Sequence, residues 1–363
     1  MLIENGLRRG SVEVPVSKSH LHRLLIAEAL AGEYGRLIVS PEDSEDIKAT
    51  KRCLKVLVSG EKDVVLDVGE SGSTLRFLSP VVPALGKSAK FVKSGRLAQR
   101  PAMEYPALSA GIHELPGNVS SQFVTGLLFA LPLLDGDSEI RFKSPLESRG
   151  YVDMTLDVVR DYGITIKDLD GGFVIPGLQR FKVPDDESKR IAEKDWSGAA
   201  FWVCANAMGN DIVFEGLECA SRQPDRAVVE AVKLLGGEID VSGFPDSFPA
   251  LCIAAACNEG ITRFVGTRRL RLKESDRVAA MEDVLGRFGV KTAAGDNDFT
   301  VYGSDRQLSG GAFRSYGDHR IAMAVAIGAT RAAGPVELDD AKCAAKSYPS
   351  FFAAFSRLLY QRR

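Results

Sequence analysis

Residues 268–277 read RRLRLKESDR, with four arginines, a lysine and two acids in ten positions. Such density costs electrostatic self-repulsion unless an anion sits against it. The apolar positions that follow, Val278, Met281, Leu285 and Phe288, have helical spacing, which puts Lys273, Glu274 and Arg277 on one side near the helix start. An acid between two cations is placed to give and take a proton; the plain alternative is a solvated helix N-terminus. Hydroxyl- or acid-bearing first turns recur at SKSHLHR (17–23), SGST (71–74), SSQ (120–122) and GDHR (317–320), with Lys18, Arg23, Arg100, Arg277 and Arg320 nearby. Helix N-termini carry about half a positive charge and free N–H groups, so these turns read as sites for small anions, although plain capping explains any single one. GESGST lacks the lysine of a nucleotide P-loop, and no GxGxxG follows a strand, which argues against a nucleoside triphosphate and a dinucleotide cofactor.

The elements that position these residues alternate along the whole chain. Short β-rich pieces (GSVEVPVS, DVVLDVG, EIRFKS, ITRFVG) alternate with helical stretches (HLHRLLIAEALAG, YVDMTLDVVRDYG, SDRVAAMEDVLGRFG), which is an α/β pattern. A length of 363 residues suits two domains. Hydrophobic residues at 45%, charged residues at 26% and a net charge of −2 describe a globular chain with no global basic field to draw it onto nucleic acid. No apolar run approaches the ~20 residues of a membrane span, and the start has no signal-peptide pattern, so a cytoplasmic protein is expected. The six cysteines (Cys53, Cys204, Cys219, Cys252, Cys257, Cys343) form no CxxC pair and read as buried free thiols. The four histidines have no metal-ligand spacing, and His20 and His22, two apart, point to different faces of a helix.

A duplication is written in the spacing. VVRDYGITIKDLDGGFVIPG (158–177) and VLGRFGVKTAAGDNDFTVYG (284–303) share their punctuation, and an offset of 126 pairs Gly163 with Gly289, Phe173 with Phe299 and Gly177 with Gly303. The same frame pairs Gly111 with Gly237, Gly117 with Gly243 and Arg100 with Arg226, and sets Ser120 against Asp246, Ser148 against Glu274 and Tyr151 against Arg277. One half thus carries hydroxyls and amides at the loops entering helices where the other carries acids and arginines.

On KSHLHR (18–23), GESGSTLR (69–76), RLAQRP (96–101), VSSQF (119–123), ESRGYVDMT (147–155), PDSFPAL (245–251), LRLKESDR (270–277), GDHRIAMA (317–324) and KCAAKSYPSF (342–351), the chain resembles the 5-enolpyruvylshikimate-3-phosphate (EPSP) synthases nearly end to end. The resemblance implies an α/β (α+β) fold of two similar domains, each of three βαβαββ units in an inside-out α/β barrel, with the active site in the cleft between them. The crossings then fall near VPVS and AEKD, so that 1–16 plus 194–363 form one domain and 17–193 the other. The implied reaction moves the enolpyruvyl group of phosphoenolpyruvate to the 5-hydroxyl of shikimate 3-phosphate by addition and elimination, with no metal or organic cofactor, in a monomer without nucleic-acid or membrane partners. By the same resemblance Lys18, Ser19, Arg23, Ser120, Ser121, Gln122, Ser148, Tyr151, Asp246 and Lys273 bind shikimate 3-phosphate. Lys18, Gly72, Arg100, Gln122, Arg277, Arg320 and Lys346 bind phosphoenolpyruvate. Asp246, Glu274, Lys18 and Lys273 are implied as catalytic: Asp246 takes the hydroxyl proton, and Glu274 protonates and deprotonates the methylene carbon.

The sequence departs from that family at Glu70, where asparagine is usual, at Arg269, where an amide is frequent, and at Gly150. It is also short for the family between Arg23 and Gly69, Arg100 and Ser120, and Asp195 and Asp246, so strands or hairpins are expected to be trimmed from some units. Two other readings remain open from the residues. One is the related transferase acting on a UDP-amino sugar, against which stand Ser19 and the lack of an exposed loop cysteine. The other is a non-catalytic anion- or nucleic-acid-binding module, against which stand the net charge and the acids Asp246 and Glu274.

Overall fold

The computed structural model describes residues 1–100, 103, 105–218 and 220–360; Cys219 lies outside them. The chain divides into two compact units, one of residues 1–17 with 194–363 and one of residues 18–193. In the second unit, strand Gly111–Leu115 leads through helix Ser121–Ala130 into the parallel strand Ser138–Phe142. Helix Arg149–Asp161 follows, and then a hairpin, Lys167–Leu169 with Gly172–Ile175, whose second strand pairs antiparallel with Ser138–Phe142. The first unit repeats this βαβαββ order: Glu238–Asp240, helix Phe248–Ala256, Gly260–Val265, helix Arg277–Arg287, Lys291–Ala294 and Asp298–Gly303, with the same strand neighbours.

The duplication read at an offset of 126 is therefore structural. Gly163 and Gly289 both end a helix at φ +82°, in the left-handed region that glycine enters without a Cβ penalty. Gly177 and Gly303 both lie where a Cβ would meet backbone oxygens, at 2.3 Å from Gly136 O and 2.0 Å from Ala255 O. The frame is not rigid, however. Ile112 pairs with Glu139 and Glu238 with Arg263, so the first strands are offset by 126 and the central strands by 124. A two-residue difference in the loop before the central strand is made up in the loop after it, because both lie outside the ladder that fixes the register. Gly117 and Gly243 differ in kind: a Cβ on the first would strike Ser144 O, and the second faces open space.

The remaining repeats are shortened where the sequence is short. No strand separates helices Lys18–Leu30 and Glu45–Leu57 among the described residues, and strands Asp63–Gly69 and Ser88–Lys93 make a two-stranded parallel sheet without a hairpin. In the first unit, strands Arg8–Glu13 and Asp211–Glu215 run parallel, and Leu359–Tyr360 from the chain end pairs on the other side of Arg8–Glu13. Gly311–Phe313 and Val336–Leu338 run parallel across helix His319–Ala329, with Leu2–Ile3 added antiparallel. Among the described residues no sheet closes into a barrel.

The layering follows from composition. Helices Phe248–Ala256 and His319–Ala329 are buried at every residue, as helices apolar all round must be, while the strands alternate inward and outward residues. Their core packs around Trp202, which stacks on Phe351 at 4.8 Å, and around Phe248, whose ring meets Phe264 and Phe299 edge-on. The second unit buries most of helices Lys18–Leu30, Gly72–Ala84 and Ser121–Ala130. Cys53, Cys204 and Cys252 are buried free thiols; Cys257 and Cys343 are partly exposed. No described helix is long and apolar enough to cross a membrane.

Candidate active site

In the first unit the ionic residues converge on Arg277. Asp276 caps its helix by accepting from Ala279 N, which points the Arg277 side chain inward from the first turn. The guanidinium is 1% exposed and meets three carboxylates: Nε donates to Asp318 Oδ2 at 2.9 Å, Nη1 to Asp246 Oδ1 at 2.8 Å and Nη2 to Glu274 Oε2 at 2.9 Å. Arg320 donates from Nη2 to the other Asp246 oxygen at 2.9 Å and from Nη1 to Ser197 O at 3.1 Å. Lys273 Nζ lies 3.4 Å from Asp246 Oδ1. Asp318 accepts Ser275 Oγ at 2.9 Å and caps helix His319–Ala329 through Arg320 N. Lys346 is buried at the end of a 3-10 turn, Lys342–Lys346, that packs on that helix.

Three cations thus stand against three carboxylates at a largely buried place. Burial alone would raise the Asp246 pKa, but Arg320, Lys273 and Arg277 outweigh it and hold the carboxyl well below its ordinary range. Burial pulls Lys273 down, with Arg277 adding to it against Asp246 and Glu274. Arg277 moves the other way: its burial penalty is exceeded by Asp318, Asp246 and Glu274, and it stays charged throughout.

The second unit brings together a polar set. Pro80, inside helix Gly72–Ala84, has no N–H to offer Arg76 O, and Gly126 of helix Ser121–Ala130 packs there so closely that a Cβ would lie 2.4 Å from that oxygen. This crossing sets Gln122, one turn before Gly126, against the first turn of the neighbouring helix. Gln122 Oε1 accepts from Arg76 Nη1 at 2.8 Å, and its Nε2 donates to Ser73 Oγ at 2.9 Å. A Cβ on Gly72 would lie 2.6 Å from Arg76 Nη1 and 3.2 Å from Arg100 Nη1, so the glycine makes room for two guanidiniums. Ser120 caps Ser121–Ala130 by accepting from Gln122 N. Ser148 precedes helix Arg149–Asp161 at φ +54°, a left-handed position held by a non-glycine residue, and is buried.

Two of the expected residues are engaged by their own unit. Arg23 is 3% exposed; its Nε donates to Thr155 Oγ1 at 2.8 Å, Nη1 to Ser19 O at 2.6 Å and Nη2 to Tyr151 O at 2.8 Å. That ties Ser19, Arg23 and Tyr151 into one cluster, and burial draws the Arg23 pKa down to about 9. Lys18 Nζ is paired with Asp46 Oδ2 at 2.8 Å.

A model of the EPSP synthase family (3-phosphoshikimate 1-carboxyvinyltransferase) matches residues 107–243 and 224–355. The 3-phosphoshikimate 1-carboxyvinyltransferase of Clostridium acetobutylicum is 35% identical over 414 aligned positions, covering 96% of this chain and 95% of that protein. That of Clostridium kluyveri is 35% identical over 412 positions, covering 96% and 95%. The chain belongs to the EPSP synthase family. An EPSP synthase structure from Acinetobacter baumannii superimposes with a TM-score of 0.74 at 23% identity, over 98% of this chain and 97% of that one. The enolpyruvyl transferase NikO from Streptomyces tendae gives 0.68 at 15%, over 100% and 97%. The clostridial alignment is longer than the 363 residues available, so that EPSP synthase carries segments this chain lacks, in keeping with the shortened repeats.

Within this EPSP synthase family member, sequence reasoning overlooked Asp318 and Asp46 and did not assign Arg76 to the site. Asp318 stands in the GDHR turn already singled out for Arg320, and an acid at an N-cap position was the available signal. Asp46 follows a capping Ser44 but meets Lys18 across 28 residues, and Arg76 meets Gln122 across 46, so neither partner is written locally. Glu70, the departure from the family pattern, lies over Gly95, where a Cβ would fall 1.7 Å from its Oε1. Arg269 donates from Nη2 to Ser242 O at 3.0 Å.

Proposed function

We propose that this chain transfers the enolpyruvyl group of phosphoenolpyruvate to the 5-hydroxyl of shikimate 3-phosphate, and that the residues gathered above carry the reaction. The observation behind the residue roles is the shared fork of Arg277, one arm on Asp246 and the other on Glu274, with Arg320 on the second oxygen of Asp246. Both substrates are polyanions, and arginine binds carboxylate and phosphate in bidentate fashion. An arriving carboxylate or phosphate competes for the Arg277 and Arg320 donors. Each donor it draws away raises the proton affinity of the carboxylate left behind.

The chemistry then divides between the two acids. Asp246, with its hold loosened, takes the proton of the 5-hydroxyl as that oxygen bonds to C2 of phosphoenolpyruvate. Glu274 delivers a proton to C3, giving the tetrahedral adduct. In the second stage a C3 proton returns to Glu274, the C2–C3 double bond reforms and the C2–O bond to phosphate breaks, so phosphate leaves. Lys273 and Lys18 supply positive charge to the leaving group and to the acid–base pair. Gly72, Arg100, Arg320 and Lys346 hold phosphoenolpyruvate, with Lys18, Gln122 and Arg277. Ser19, Arg23, Ser120, Ser121, Gln122, Ser148 and Tyr151 hold shikimate 3-phosphate, with Asp246, Lys18 and Lys273.

We assign the shikimate-phosphate side to residues 17–193 and the acid–base residues to 1–16 with 194–363. We further propose that the protein works in the cytoplasm as a monomer; light scattering should then give the single-chain mass of 39.2 kDa. The deciding experiment is phosphate release from phosphoenolpyruvate without added metal. Release with shikimate 3-phosphate, and none with a UDP-amino sugar or with no acceptor, is expected. Release with the UDP-amino sugar alone, or with no acceptor at all, would overturn the reading.

A further inference from the structure

A cavity of about 460 Å³ lies in the 18–193 unit between helix Gly72–Ala84 and strand Ser88–Lys93. The shortened repeat accounts for it. In the complete repeats the central strand is followed by a helix of eleven residues or more, Arg149–Asp161 or Arg277–Arg287, and the first of these packs along its neighbour Ser121–Ala130. Among the described residues only the 3-10 turn Gly95–Gln99 stands between Ser88–Lys93 and the next strand, and Met103 and Tyr105 line the space beside helix Gly72–Ala84.

The walls state what would fit. Leu75 and Val82, two turns apart on the helix, and Phe91 on the strand make the floor apolar. Among the described residues the charged ones of the lining are Lys87 and Lys93. Lys87 Nζ donates to Glu61 O at 2.5 Å, whereas Lys93, half-buried, has no ion pair among the described residues. Burial pushes the Tyr105 pKa up to about 12, and among the described residues its hydroxyl finds only the Met103 thioether at 3.7 Å, a weak acceptor. An ammonium and a hydroxyl against an apolar floor are left short of partners, which an anionic acceptor would supply. The volume falls in the range of small-molecule sites, and even two turns of a helix about 10 Å across would exceed it.

We propose that this cavity binds a small carboxylate with a flat, ring-sized apolar body. The ring lies against Leu75, Val82 and Phe91, and the carboxylate accepts from Lys93 and the Tyr105 hydroxyl. The site is separate from the candidate active site, whose Gly72, Ser73 and Arg76 occupy the start of the same helix.

The test titrates the full chain, saturated with shikimate 3-phosphate, with 2-naphthoate and with the neutral 2-naphthamide, by calorimetry. We expect one saturable site per chain for 2-naphthoate, with the amide at least about tenfold weaker, as the loss of one charged hydrogen bond requires. Lys93→Gln should weaken 2-naphthoate by about tenfold while phosphate release stays unchanged, and Ser79→Phe, which fills the cavity from the lining residue one turn beyond Leu75, should abolish binding. Equal affinity for acid and amide, undiminished binding in Lys93→Gln, or competition between 2-naphthoate and shikimate 3-phosphate would each overturn the proposal. So would the absence of saturable binding up to about 5 mM, a concentration that reaches affinities of roughly −3 kcal/mol.

Discussion

Arg277 and Asp318 form a pair buried on both sides, 2.9 Å from Nε to Oδ2, with 1% and 0% of the side chains exposed. Asp318 also fixes Ser275 and opens the helix that carries Arg320, so one carboxylate orients two arginines. Removing it leaves a buried guanidinium short of its partner. Asp318→Ala should therefore cost about 3–5 kcal/mol in urea unfolding, as breaking buried pairs does. A loss below about 1 kcal/mol would mean that water or Glu274 replaces it.

Glu274 is bonded to Arg277, and the cap of that helix is Asp276 rather than Glu274. Glu274→Gln should keep shikimate 3-phosphate binding within a few-fold and lower kcat by about 10² or more, the worth of a general acid–base group. Unchanged turnover would remove Glu274 from the mechanism.

The pH dependence of stability follows from Asp246. Its pKa in the folded chain lies below its ordinary value of about 3.9. The stability it contributes is therefore complete above that ordinary value and is lost as pH falls towards the folded-state value. Denaturant unfolding of wild type and Asp246→Asn should show a gap at pH 7 that narrows below about pH 4. A gap that widens on acidification would reverse the sign and contradict the ion-pair account.

Gly72 tests the phosphoenolpyruvate side. A Cβ there pushes on the ends of Arg76 and Arg100, flexible groups that yield without unfolding the helix. Gly72→Ala should thus change stability by less than about 1 kcal/mol but raise KM for phosphoenolpyruvate several-fold. Glyphosate, a phosphoenolpyruvate-like inhibitor, should inhibit the wild type below millimolar concentration and the variant less. Equal KM and equal inhibition would place neither arginine on that ligand.

The repeat makes its own prediction. Gly303→Ala drives a Cβ to 2.0 Å from Ala255 O and 2.2 Å from Asn258 O, whereas Gly243→Ala meets nothing within 4 Å. The first should destabilise by about 1–3 kcal/mol as overpacking does, and the second should be neutral or stabilising by up to about 1 kcal/mol. Thermal unfolding of the two variants compares them directly.

What was legible in the sequence is what local chemistry dictates. Gly163 and Gly289 had to be glycine for a left-handed helix end, and their spacing exposed the duplication before any fold was known. Serines and aspartates capping the first turns announced the helix starts that carry Ser120, Arg277 and Arg320. The residue types of LKESDR also marked an ionic site, because so many charges in ten positions need partners. The family resemblance supplied the trimmed units.

The partners themselves were decided by tertiary structure. Nothing near Arg277 in sequence indicates that Asp246 and Asp318, 31 and 41 residues away, would occupy its fork. Lys18 with Asp46, and Arg76 with Gln122, depend on which helices cross, and the second crossing is set by Gly126 meeting Arg76 O at Pro80. Arg23 could be named as an anion binder from its type alone, yet burial among Thr155, Ser19 and Tyr151 determines how many of its donors remain. Sequence sets local backbone preference and charge; long-range packing chooses the neighbour each charge meets, because that choice is made by the close approach of elements and not by the residues that carry the charge.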